Sequence, residues 1–136
     1  MTNKELKSKV MALGNRLTAE TGNRSIAFVR AWAIVKAGAV EMAVRGVSFG
    51  TRQEALRRLA AYSPADVRAF IMPEPENVID PAALAVMVMV QGGRGVYRLG
   101  YVPHEMTGIA RALKNPRPAL RVITGDINGA RLRLAI

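Results

Sequence analysis

Glu74-Pro75-Glu76-Asn77-Val78-Ile79-Asp80-Pro81-Ala82-Ala83-Leu84-Ala85-Val86 runs a loop of acids and prolines directly into an apolar strand. Downstream, Leu99-Gly100-Tyr101-Val102-Pro103-His104-Glu105 ends a second strand and opens a helix, with Pro103 suited to its first turn. This order predicts a small barrel in which a carboxylate, an amide and an aromatic ring meet at the strand ends.

Leu84 to Val90 is a fully apolar strand, Gln91-Gly92-Gly93-Arg94-Gly95 a hairpin turn, and Val96 to Val102 the returning strand. Val67 to Met72 reads as the strand before the loop, stopped by Pro73 and Pro75. The helix after Pro103 continues through Met106, Ile109, Ala110 and Leu113 until Asn115-Pro116 ends it. Leu120 to Thr124 and Arg131 to Ile136 close the set around Gly125-Asp126-Ile127-Asn128-Gly129, with Leu132, Leu134 and Ile136 facing in. Upstream, Val40, Met42 and Val44 alternate with Glu41, Ala43 and Arg45, a half-buried strand. The glycine-bounded bend Gly46 to Gly50 leads to Thr51 and Glu54, a capping box opening a helix to about Tyr62.

The first forty residues read as two helices. Thr2 and Glu5 form a capping box, and Leu6, Val10, Leu13 and Leu17 make one apolar stripe before Gly22-Asn23. The second helix places Ile26, Val29, Trp32, Ala33 and Val35 on its apolar face, with Trp32 expected in the core. Two short helices bury too little surface to be stable alone, so the pair must pack on the rest of the protein, on a second copy or on a partner. The expected fold is α+β: a small six-stranded OB/SH3-like β-barrel over 40–136 with two inserted helices, preceded by a basic helical hairpin over 1–39.

The composition narrows the chemistry. Twenty Lys and Arg against ten Asp and Glu give a formal charge of +10, which favours polyanionic partners. With no cysteine and the single histidine His104, thiolate chemistry is excluded and neither a zinc site nor a Ser-His-Asp triad has support. No catalytic residue, metal ligand or cofactor is expected. The longest apolar run, the nine residues Ala82 to Val90, falls short of a membrane span, and Met1 to Glu5 lacks the apolar core of a secretory signal. A cytoplasmic protein without a membrane partner is the expectation.

Residues 74–86 resemble the HIRAN domain pattern E-P-x-N-x-x-D-x-x-A-[VIL]-x-V, matched by Glu74, Pro75, Asn77, Asp80, Ala83, Leu84 and Val86. Gly46-Val47-Ser48-Phe49 and Gly100-Tyr101-Val102-Pro103 look like the family's other two landmarks, and the likeness covers about residues 41–136. The resemblance implies an OB-like barrel that captures the 3′ end of single-stranded DNA. Such a pocket stacks aromatic rings on bases, sets an aspartate near the terminal hydroxyl and places cations on phosphates.

Carried over by position, Asp80 stands at the pocket aspartate, with bracing of the Pro81-Ala82-Ala83 turn as its alternative role. Phe49 fills the aromatic position, Ser48 stands where a cation is expected, and Ile79 replaces the aromatic before the aspartate. Tyr101 lies where a base-contacting side chain would emerge, and His104 at an often basic position. Arg45, Arg52, Arg94 and Arg98 are the candidate phosphate contacts. The expected function is a non-enzymatic nucleic-acid-binding module for single-stranded DNA or a DNA end, with RNA as the other polymer. The alternative is an accessory or regulatory protein-interaction module, of a mobile element for instance, that dimerises or docks through its N-terminal helices.

Overall fold

The computed structural model describes residues 2–48, 51–93 and 95–136. In chain order its elements are α1 (Asn3–Thr21), α2 (Arg24–Ala37), β1 (Ala39–Ala43), α3 (Arg52–Ala60), β2 (Val67–Pro73), β3 (Leu84–Val90), β4 (Tyr97–Tyr101), α4 (Thr107–Ala112), β5 (Arg117–Ile123) and β6 (Gly129–Ala135). The class is α+β. The chain forms two compact units: a helical unit of Met1–Val40, Gly108–Arg117 and Leu134–Ile136, and a β unit of Glu41–Thr107 and Pro118–Arg133.

In the helical unit, Thr2 Oγ1 accepts from the Glu5 N–H at 3.1 Å, and Val10, Leu13 and Leu17 are buried. Gly22 ends α1 at φ +72°, and Asn23 then caps α2 by accepting from the Ile26 N–H at 3.0 Å. Gly14 lets the helices meet: a Cβ there would lie 2.6 Å from the Phe28 ring.

The buried face of α2 differs from the expected stripe. Ala27, Ala31, Ile34 and Val35 are buried, whereas Ile26, Val29 (71% exposed) and Ala33 face solvent. This helix is apolar nearly all round, so periodicity does not choose a face; the two buried alanines permit close approach to a neighbouring element. Trp32 is likewise not in the core. It is 37% exposed, with the Lys36 ammonium 5.4 Å above its ring.

All six expected strands form, but the described residues make two three-stranded antiparallel sheets, β1-β6-β5 and β2-β3-β4, rather than a closed barrel. Just beyond β1, an isolated bridge joins Arg45 to β4: the Arg45 N–H donates to the Tyr101 carbonyl at 2.8 Å and the Tyr101 N–H returns the bond at 2.9 Å. β3 spans the expected apolar run, and Leu84 to Val88 are buried. β5 begins at Arg117, three residues before the expected start, with Pro118 tolerated because β5 is an edge strand. The helix after Pro103 opens as a 3-10 turn over His104–Met106.

One expected cap is absent. Thr51 has φ −81° and ψ 2°, not the extended backbone of a capping residue, and its hydroxyl shares a 3.0 Å hydrogen bond with the Tyr97 hydroxyl. Glu54 instead pairs with Arg57 at 2.6 Å and Arg58 at 3.4 Å along α3.

Candidate nucleic-acid interface

The loop between β2 and β3 holds its own shape. Asn77 Oδ1 accepts from the backbone N–H groups of Ile79 and Asp80, both at 3.0 Å, and its Nδ2 donates to Glu74 Oε1 at 3.2 Å. Asp80 Oδ1 accepts from the Ala82 N–H at 2.9 Å, so the bracing role exists. Its other oxygen, Oδ2, lies 3.3 Å from His104 Nδ1. The Asp80 carboxylate thus divides its two oxygens between the turn and the space beside His104. Pinned in this way, the loop displays Val78 and Ile79 at its apex, the latter 97% exposed.

A bulge in β4 supplies the opposite wall. Val86 pairs with Gly100 and Met87 with Arg98, leaving Leu99 as an extra, fully buried residue. Side chains three apart on a regular strand point to opposite faces, and one inserted residue brings them to the same face. Arg98 and Tyr101 accordingly share a face. Arg98 Nη1 donates to the Tyr101 hydroxyl at 3.0 Å and to Glu74 Oε2 at 2.6 Å, while the Tyr101 hydroxyl donates to Glu74 Oε1 at 2.9 Å.

Glu74 is therefore the hub of this wall. Partial burial alone would raise its pKa, but hydrogen bonds from Asn77, Tyr101 and Arg98 and the Arg98 charge outweigh that effect, holding the carboxyl below its ordinary value. The Glu74 hydrogen bond, followed by the nearby tyrosine and carboxylate charges, raises the Arg98 guanidinium further above its already high value.

The site expectations converge on this region. Arg45, Ile79, Asp80, Tyr101 and His104 line one open cleft of about 490 Å³, reached from three separate segments of chain. Arg98 lines an adjoining hollow with Ile79 and Tyr101. The guanidinium carbons of Arg52 and Arg98 each stand 5.9 Å from the Tyr101 ring centroid, and Arg52 Nη1 donates to the Gly46 carbonyl at 2.7 Å. Ser48 is exposed and lines neither space. Phe49 and Arg94 lie outside the described residues.

The electrostatics differ from those of a phosphate cradle. Arg45 faces Glu105 at 3.5 Å, Arg98 faces Glu74 at 2.6 Å, and Asp80 faces His104 at 3.3 Å. Three carboxylates thus face two arginines and one histidine, an arrangement suited to a hydroxyl donor or the face of a base more than to a bare phosphate. Sequence reasoning left Glu74 and Glu105 unassigned. The Glu-x-x-Asn spacing signalled the first, whereas the Arg45–Glu105 contact joins residues sixty apart and leaves no local trace. It also missed a second cleft of about 580 Å³ between α3 and the β3–β4 hairpin, lined by Leu59, Tyr62, Val88 and Tyr97 among others.

Among the described residues no cluster of three or more acids and histidines is placed to hold a metal ion, and no helix is long and apolar enough to cross a membrane. No protein-family model matches the chain, no curated protein matches it in sequence, and no solved structure matches it in fold.

Proposed function

We propose that the β unit is a HIRAN-like, non-enzymatic module that holds single-stranded DNA by its 3′ end, its two sheets serving as the walls of an OB-like barrel. The supporting observation is the single cleft that gathers Arg45, Ile79, Asp80, Tyr101 and His104. In this reading Asp80 Oδ2 accepts a hydrogen bond from the terminal 3′-hydroxyl while Oδ1 keeps the turn closed. Ile79 packs on the last sugar or base. Tyr101, flanked by the Arg52 and Arg98 guanidiniums, forms the planar platform on which a base stacks. Arg45 exchanges Glu105 for the phosphate behind the terminal nucleotide.

The Asp80→Asn variant tests the reading because it retains an oxygen for the Ala82 N–H and loses the charge. Hydrogen bonds to charged groups contribute about 1.5–3 kcal/mol, so binding of a 3′-hydroxyl ten-mer should weaken about tenfold or more. A folded Asp80→Asn protein with unchanged affinity would remove Asp80 from the site.

A second reading is favoured by α2. Its exposed Ile26, Val29 and Trp32 form an apolar stripe, and the helix carries Arg24, Arg30 and Lys36 but no acid. That combination fits an amphipathic acidic helix of a protein partner, making the chain an accessory interaction module. Arg30→Glu should abolish that docking without touching DNA affinity, and unchanged capture of an acidic amphipathic peptide by the folded variant contradicts this second reading.

A further inference from the structure

The charge of this chain is segregated. The helical unit holds ten of the twenty Lys and Arg but only Glu5 and Glu20 among the ten acids, a formal +8. The β unit sets ten cations against eight acids, a formal +2. The cleft described above therefore lies in the nearly neutral unit, and the surplus that favours a polyanion lies in the other.

Within the helical unit three of the ten cations meet at one groove. Lys9 and Arg16, seven residues apart on α1, stand on the same side about two turns from each other. With Lys114, just beyond α4, they line a groove of about 200 Å³ whose apolar lining includes Leu13, Val35, Leu113 and Ile136. Arg16 Nε donates to the Ala112 carbonyl at 2.5 Å, which fixes the guanidinium plane and leaves its two terminal nitrogens available. No Asp or Glu side chain lines the groove. Glu5 and Glu20 lie one helical turn beyond Lys9 and Arg16, yet neither forms an ion pair with them. Among the described residues, Lys9, Arg16 and Lys114 form no ion pair within 4 Å. The ion-paired arginines of the β unit differ in this respect.

We propose that this groove is a phosphate-binding site for the sugar-phosphate backbone of a nucleic acid. A fixed guanidinium offers two parallel donors to one phosphate, and the two ammonium groups, on flexible stems, reach its neighbours. The inference rests on the nucleic-acid reading above but not on its end pocket: the β unit selects the strand end, and the helical unit supplies the salt-dependent affinity.

The test is fluorescence anisotropy of the full chain with thirty-nucleotide single strands across a salt series. Wild type is compared with Lys9→Gln/Lys114→Gln and with Lys4→Gln/Lys36→Gln, each first checked for an unchanged circular dichroism spectrum. Both double variants remove two exposed charges, but only the first removes them from the groove. The groove variant should bind about tenfold more weakly at low salt, with a log–log salt slope shallower by about 1.4, roughly 0.7 per lost phosphate contact. The control variant should change far less.

Equal losses in the two variants would overturn the site in favour of diffuse charge. Binding of wild type to phosphatidylserine vesicles but not to single strands would overturn the nucleic-acid ligand. If groove loss is seen while 3′-hydroxyl and 3′-phosphate strands bind alike, this site stands and the end pocket falls; the reverse pattern overturns this site alone.

Discussion

Arg45 and Tyr101 exchange both of their backbone hydrogen bonds, at 2.8 and 2.9 Å, although neither β1 nor the β6 strand beside it otherwise pairs with β4. This single bridge carries the Arg45 side chain to the cleft holding Asp80 and His104 and fixes the backbone from which Tyr101 emerges. Its cause lies next door. A Cβ on Gly100 would sit 2.3 Å from the Arg45 carbonyl oxygen and 2.7 Å from Val44 Cγ1.

Gly100→Ala should therefore cost about 3 kcal/mol, the upper range for overpacking, because backbone stands in the way rather than a flexible side chain. Gly129→Ala, where nothing lies within 4 Å, should stay within about 0.5 kcal/mol. Urea midpoints of the two variants make the comparison, and equal midpoints would contradict the close approach.

Tyr101→Phe keeps the ring and deletes the hydroxyl that joins Arg98 to Glu74. Glu74 retains Asn77 and Arg98, so the loss should be about 1–2 kcal/mol rather than collapse of the wall. Equilibrium unfolding measures it. A neutral substitution would mean that the hydroxyl network does not stabilise the fold.

The depressed Glu74 carboxyl makes stability pH-dependent in a definite direction. Its folded form prefers the charged state, so the contribution is complete above the unfolded value, about 4.3, and is lost as pH falls through the lower folded value. Wild type should lose stability below about pH 5 more steeply than Glu74→Gln. Glu54 shifts in the same direction through its Arg57 hydrogen bond, but that pair is exposed and screened. Identical acid limbs in the two proteins would refute the Glu74 assignment.

Much of this was legible in the sequence. The apolar run of β3, the period-two strands, the Gly22 stop of α1 and the Asn77–Asp80 loop follow from local chemistry, and each forms within a few residues of its expected bounds. Three features did not follow. The extra residue at Leu99, which turns Arg98 and Tyr101 to one face, is set by pairing with β3 and looks like ordinary strand locally. The buried face of α2 is chosen by alanines that fit a close neighbour, whereas periodicity weights the larger Ile26, Val29 and Trp32. Unit-by-unit charge was hidden because Arg111, Lys114 and Arg117 join the N-terminal helices only after the chain has passed through the β unit.

Ile79 separates binding from folding. At 97% exposure its side chain contributes little to stability, so Ile79→Ala should unfold within about 0.5 kcal/mol of wild type. Loss of its apolar contact with the strand end should nevertheless weaken single-strand affinity roughly fivefold, from about 1 kcal/mol of buried surface. Unaltered affinity would leave the loop apex without a role in the complex.

The end pocket is read by anisotropy of wild-type protein with ten-nucleotide single strands ending in a 3′-hydroxyl or a 3′-phosphate, at matched salt. An Asp80 oxygen that accepts from the terminal hydroxyl predicts at least tenfold tighter binding of the hydroxyl end, because a phosphate there meets the carboxylate as a like charge. Equal affinity for the two ends would contradict the end pocket, whatever the total affinity proved to be.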